Sequence, residues 1–256
     1  MPTVSIAFNE EGTRAALRFS HPKGNILTRE ILAGLRAACE DLSRAPRLKL
    51  ITLAPDGPDF SFGASVPEHA PGEIERALPE MHELVRELLA LPAATAAVVR
   101  GRCLGGGFEL ALACDFIMAA SGSTFGLPEI SLGALPPVGS VLLPIKAGYA
   151  RAARAALTGA LQPVEEWVHA GLVTLTAPPD LLDAAVDDWY RRHLDTHSAI
   201  ALRNAVMALR LDVHDAVERL LPRIETLYLS DVMSTEDAAE GVRAFMEKRQ
   251  PRWKDR

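Results

Sequence analysis

The sequence has little that would staple, charge or anchor it. Its cysteines are three, Cys39, Cys103 and Cys114, an odd count without a CxxC pair. Neither a disulfide framework nor a zinc site is expected from them, and no other metal site is read from the sequence. No block of Lys or Arg is longer than two residues, and 27 basic residues against 33 acidic ones give a formal charge of -6. Affinity for nucleic acid rests mainly on clustered cations, so a nucleic-acid partner is not expected. Long apolar runs are missing as well. The charge-free stretches Leu88–Val99 and Ile130–Ile145 are broken by Pro92 and by Gly133, Pro136, Pro137, Gly139 and Pro144. A membrane-spanning helix needs about 20 apolar residues, so no membrane partner is expected. The opening Met-Pro-Thr-Val-Ser has no basic segment leading into an apolar one, which reads as a cytoplasmic chain without a secretory signal.

What is there is a globular composition: 256 residues, 48% hydrophobic and 23% charged. A chain of this length buries roughly three-quarters of its unfolded surface, enough for one large core with an appended element. Val4, Ile6 and Phe8 alternate with smaller or polar residues, Glu11-Gly12 marks a turn, and alternation resumes from Ala15 to Phe19. This predicts a hairpin. Thr28 is placed to cap a helix whose apolar positions are Ile31, Leu32, Leu35, Ala38, Cys39 and Leu42. A buried strand over 48–53 follows, then a long Pro-, Gly-, Asp- and Ser-rich loop over 54–72 that is a site candidate by its length. Ile74, Leu78, Met81, Leu84, Val85, Leu88 and Leu89 predict a second amphipathic helix, and 95–100, 115–120 and 123–126 read as strands. Successive strand-strand-helix units suggest β-β-α turns instead of a doubly wound sheet. Beyond 135 the pattern is mostly helical. Pro163 is expected at a first helical position with Gly171 past the end, and the helices after 195 are expected outside the repeat, against a neighbour.

Gly105, Gly106 and Gly107 open the helix that runs to Cys114. Glycines there permit close backbone approach, and the unpaired N–H groups of a helix start attract negative charge. No Gly-Lys-Ser/Thr follows and position 110 is Leu, so neither the P-loop nor the dinucleotide fingerprint is met. Taken alone the run reads as a tight, close-packed turn. Glu109 sits in the first helical turn, where the dipole favours its anion and apolar burial penalises it. Glu129 lies twenty positions on (129 minus 109), among apolar residues at a Pro-marked bend. As isolated residues each reads as an N-terminal helix charge or a surface carboxylate, and His69 and His82 read as surface histidines.

Together the motifs carry more. Phe60-Ser61-Phe62-Gly63-Ala64, Gly101-Arg102-Cys103-Leu104-Gly105-Gly106-Gly107-Phe108-Glu109, Cys114-Asp115 and Phe125-Gly126-Leu127-Pro128-Glu129-Ile130 resemble the crotonase, or enoyl-CoA hydratase/isomerase, superfamily. The ending Glu240-Gly241-Val242-Arg243-Ala244-Phe245-Met246-Glu247-Lys248-Arg249 is family-like, so the resemblance covers nearly the whole chain. It implies an α/β fold, a spiral of β-β-α turns over 1–195, with a C-terminal helical trimerisation region over 196–256. The implied assembly is a homo-trimer or a hexamer made of two trimers. By the same resemblance, backbone N–H groups of Ala64 and Gly106 hold a thioester oxygen, and Glu109 and Glu129 are the two carboxylates of a hydro-lyase. No cofactor is implied, coenzyme A being part of the acyl-CoA substrate. Leu127 and Pro137 are placed at the acyl group, Ser65 among the residues that bind substrate or CoA, and Lys23 and Lys248 near the CoA nucleotide. Ser61-Phe62-Gly63-Ala64-Ser65-Val66 followed by Glu68-His69, the Leu142-Leu143-Pro144 stretch, and the ending from Leu227-Tyr228-Leu229 to Trp253 are similar to the subgroup that hydrates cyclic dienoyl thioesters. Ordinary 2-trans-enoyl-CoA hydration is the alternative within the family. A catalytically silent binding protein on the same fold is the alternative outside it.

Overall fold

The computed structural model describes residues 3–69 and 72–256; residues 70 and 71 of the expected loop lie outside the described residues. The opening alternation forms β1 (Thr3–Phe8) and β2 (Arg14–Ser20), antiparallel, with Val4 opposite Phe19 and Ile6 opposite Leu17. Helix α1 (Arg29–Ser43) starts where Thr28 Oγ1 accepts the Ile31 N–H at 3.4 Å, and it buries the six apolar residues its spacing predicts. Next come β3 (Leu50–Leu53), α2 (Ile74–Ala90), β4 (Ala94–Val99), β5 (Arg102–Leu104), α3 (Gly106–Ala113), β6 (Phe116–Ala120) and β7 (Thr124–Gly126). The second half holds α4 (Pro137–Ala147), α5 (Tyr149–Thr158), β8 (Gln162–Pro163), α6 (Val164–His169), β9 (Leu175–Ala177), α7 (Leu182–His193), α8 (Ala199–Leu209), α9 (Leu211–Leu227) and α10 (Glu236–Met246).

Two sheets result. The larger has the order β1-β2-β3-β4-β6-β9, parallel from β2 onward, and the smaller has the order β5-β7-β8. Each middle turn of the spiral gives one strand to each sheet, β4 then β5, β6 then β7. Gly101 makes the first of these corners at φ 54°, where a Cβ would lie 2.4 Å from the Pro58 carbonyl oxygen. No other residue fits there. Helix α3 is buried on every side, and Phe108 packs edge-on against Phe125 and Trp167, both at 5.2 Å between ring centroids.

Three expectations change. The stretch after β3 is not a free loop: Ser61 bridges to Cys103, Ala64 bridges to Leu27, and 66–69 form a short 3₁₀ helix. Pro163 stands one position earlier than expected, as the residue before α6, because Gln162 and Pro163 first pair with β7. Helix α9 packs within its own chain, burying Ala216, Val217 and Leu221 against α2 and α4. Just before it, the Arg210 guanidinium, only 5% exposed, donates to the carbonyls of Leu89, Leu91 and Ala93 and to Asp115 at 2.6 Å. A buried cation survives only when so completely paired. Helix α8, by contrast, leaves Ile200, Met207 and Leu209 exposed.

Candidate active site

The bridged segment 60–64 and the turn into α3 are built as one unit. Ser61 Oγ, fully buried, donates to the Asn25 carbonyl at 2.7 Å and accepts the Gly63 N–H at 3.0 Å. Ser61 N–H donates to Arg102, and Leu104 N–H returns to Ser61 at 2.9 Å. The two backbones are thereby locked side by side. A Cβ on Gly106 would lie 3.4 Å from Ala64 N, so the amides of these two residues are neighbours. Among the described residues, neither the Ala64 nor the Gly106 N–H has a hydrogen-bond acceptor. Two adjacent unpaired donors, one at the first position of a helix, form an anion-binding corner. Gly105 stands at φ 50°, and a Cβ there would come within 2.9 Å of Glu129 Oε1; Gly107 sits where a Cβ would press 2.6 Å from Ser61 Cβ.

Glu109 follows from the first turn of α3 and is 4% exposed. Its Oε1 accepts the Gly139 N–H at 2.8 Å, at the head of α4. The Pro136-Pro137 pair starts that helix, with Pro137 at a position where a missing N–H costs nothing. Burial nevertheless dominates over the Gly139 and Val138 amides and pushes the Glu109 carboxyl up to about 7. Glu129 stands on a 3₁₀ turn (Pro128–Leu132), its Oε2 buried and without a hydrogen-bond partner. Burial first, and then the charge of Glu109, raise it to about 8. Two carboxyls in this state share about one proton near neutral pH.

A cavity of about 140 Å³ joins these groups. Ala64, Gly106, Glu109 and Glu129 all line it, as do Ser65 and Pro137. Most of the remaining wall is apolar, including Leu27, Leu78, Met81, Leu132 and Leu135. One residue expected at the acyl group is elsewhere. Leu127 is fully buried behind the wall, within about 3 Å of where a Cβ on Gly139 would stand; it supports the head of α4 and does not reach the cavity. Lys23 and Lys248 are exposed and do not line it. The histidines are corrected too. His82 is fully buried, its Nδ1 paired with Glu225 at 2.6 Å, and His69 is half-buried on the cavity wall with Nδ1 on the Ser65 carbonyl at 2.9 Å. Tyr228, 2% exposed, also lines the cavity; the sequence marks it only as part of the Leu227-Tyr228-Leu229 stretch, with no role attached.

The raised carboxyls have a consequence for stability. Between about pH 4.5 and 8 the folded chain holds protons on Glu109 and Glu129 that the unfolded chain has released, so their contribution to stability falls as pH rises through that window. Glu129→Gln removes one of these ionisations. Its Tm relative to the unsubstituted protein is expected to climb from pH 5 to pH 8 by about 5 °C, readable by calorimetry; a difference that stays flat would mean that the carboxyl is not perturbed.

Among the described residues no three His, Cys, Asp or Glu side chains are grouped to hold a metal ion, and no helix is long and apolar enough to cross a membrane. The chain matches the enoyl-CoA hydratase/isomerase family over residues 9–256. It is 38% identical over 253 residues to the cyclohexa-1,5-dienecarbonyl-CoA hydratase of Thauera aromatica, covering 99% of this chain and 97% of that one. It is 32% identical over 254 residues to the 2,3-dehydroadipyl-CoA hydratase of Escherichia coli K12, covering 98% and 94%. The crystal structure of an enoyl-CoA hydratase from Mycobacterium avium subsp. paratuberculosis K-10 superimposes with a TM-score of 0.87 at 29% identity over 98% of both chains. With that corner of free amides, that carboxyl pair and these likenesses over its whole length, the chain belongs to the enoyl-CoA hydratase/isomerase, or crotonase, family.

Proposed function

We propose that this protein is an acyl-CoA hydro-lyase that adds water to cyclohexa-1,5-diene-1-carbonyl-CoA, giving 6-hydroxycyclohex-1-ene-1-carbonyl-CoA. The observation that carries the reading is the meeting, in one apolar cavity, of two unpaired backbone N–H groups with two buried carboxyls. The amides of Ala64 and Gly106 receive the thioester oxygen and stabilise the negative charge it gains as the enolate forms. Glu109, the less strongly raised of the two carboxyls and the one that accepts the Gly139 N–H, takes a proton from water as the water oxygen bonds to carbon. Glu129, without a partner for its Oε2, keeps the shared proton and delivers it to the substrate carbon at the other end of the diene. The addition consumes one water and needs no redox partner.

The cyclic substrate is supported by size and by likeness. An apolar cavity of about 150 Å³ takes up benzene, so the space of about 140 Å³ here suits a six-membered ring. The relative from Thauera aromatica is named for that ring. The cytoplasm is the proposed compartment and a homo-trimer, or two trimers paired, the proposed assembly, with the exposed apolar residues of α8 as part of the contact. Lys23 and Lys248, being exposed, remain proposed only for the CoA nucleotide, outside the cavity.

Side-by-side kinetics decide the acyl group. The diene thioester is expected to exceed crotonyl-CoA in kcat/KM by about 100-fold or more, since each unfilled methylene is worth about 1–3 kcal/mol and the shorter chain leaves several unfilled. Equal or faster turnover of crotonyl-CoA would put ordinary 2-trans-enoyl-CoA hydration in its place.

A further inference from the structure

The two glutamates leave the reacting water under-determined. Two carboxyls sharing one proton offer acceptors on all sides, and that one proton is committed to carbon. A water whose proton goes to Glu109 and whose one lone pair attacks carbon has a second lone pair with no donor. The cavity wall contains a side chain suited to supply it.

Tyr228 follows directly on α9 and begins a π-helical turn, Tyr228–Val232, of the kind that recurs at functional sites. Its ring is buried against Ile74, Leu78 and Ala134, so the side chain is held in place. The last turns of α9 are clamped to α2 by His82 on Glu225 at 2.6 Å and by Arg86 on Glu218 at 3.0 Å. Buried tyrosines ordinarily give their hydroxyl a partner, as Tyr190 does with Thr13 and Asp195. Among the described residues Tyr228 has no such partner, and its side chain borders the cavity that Glu109 and Glu129 line.

We propose that Tyr228 is a third catalytic residue, whose phenol O–H donates a hydrogen bond to the oxygen that enters as water and stays as the product hydroxyl. Burial, with the charges of Glu129 and Glu109, raises the phenol above its ordinary range. Tyr228 therefore keeps its proton wherever the enzyme works and is a fixed donor, not an acid. No proton leaves it: the water proton goes to Glu109, the carbon receives the proton of Glu129, and the new C–O bond is the only one formed to oxygen.

The inference rests on the hydratase reading but not on the identity of the acyl group, so Tyr228→Phe is to be assayed with whichever unsaturated thioester the unsubstituted protein hydrates fastest. A loss of about 10- to 100-fold in kcat is expected, with KM within about twofold, because only the hydroxyl contact to a charged centre is removed and the ring stays. Equilibrium binding gives a second readout that needs no turnover. Affinity for 3-hydroxybutyryl-CoA should fall by about 5- to 10-fold in Tyr228→Phe, while that for butyryl-CoA, which lacks the hydroxyl, stays within about twofold. Full kcat in the Phe variant, or equal weakening of both ligands, would reduce Tyr228 to a wall residue. If the unsubstituted protein hydrates none of the thioesters, the hydratase reading falls and the catalytic role of Tyr228 with it, whereas a result that goes against Tyr228 alone leaves the hydratase reading standing.

Discussion

Glu109→Gln and Glu129→Gln are each expected to lose about 100- to 10,000-fold in kcat while still binding acyl-CoA, as general acid-base groups are typically worth that much. The amide is isosteric, so the packing of α3 and of the 3₁₀ turn carrying residue 129 stays. What is lost differs between the two. In Glu109→Gln the amide oxygen can still accept the Gly139 N–H, but the side chain cannot take a proton from water. Glu129→Gln removes the proton that burial and the Glu109 charge hold there. Kinetics in the hydration direction, with thioester binding followed separately, separates catalysis from affinity. A variant that turns over at the unsubstituted rate would make its residue structural and break the two-carboxyl mechanism.

Gly106→Pro is expected to abolish turnover, by about 100-fold at least, because proline deletes one of the two N–H groups assigned to the thioester oxygen. The position tolerates the ring in principle. Residue 106 is the first of α3, where helical torsions suit proline and no intrahelical bond is given up. A Cβ at 106 meets Ala64 N, Leu27 Cδ1 and Ala64 Cβ no closer than 3.4 Å, which is ordinary contact. Circular dichroism and light scattering should therefore report a folded protein of unchanged assembly. A folded variant with full activity would remove Gly106 from the oxyanion corner.

Much of the scaffold was legible because its signals are local. Thr28 and the spacing from Ile31 to Leu42 lie within one helix, and the β1–β2 alternation lies within one hairpin. Helix α3 is buried all round and has no periodicity to read, yet its glycine run located it. The acyl wall was harder. Leu127 sits next to Pro128 and Glu129 in sequence, but its side chain turns away from the cavity to pack behind Gly139, a choice set by where α4 begins. His82 looked like a surface residue because its partner Glu225 is 143 positions away. Tyr228 enters the cavity only because α9 folds back onto α2 and α4 in its own chain, whereas the sequence suggested that such terminal helices lie against a neighbour. The bridge of Ala64 to Leu27 likewise joins distant segments, and it is what turns an apparent loop into half of the corner of unpaired amides.

The central claim is that water is added across an unsaturated acyl thioester, and oxygen-18 water tests it most directly. Incubating the protein with the cyclic dienoyl-CoA and with crotonyl-CoA in labelled water, then analysing the thioesters by mass spectrometry, is expected to show a hydroxyacyl-CoA carrying one labelled oxygen on the acyl chain, absent with Glu109→Gln. Consumption of the thioester without labelled oxygen on the chain, whether as an isomer of unchanged mass or as free CoA with labelled acid, would contradict it.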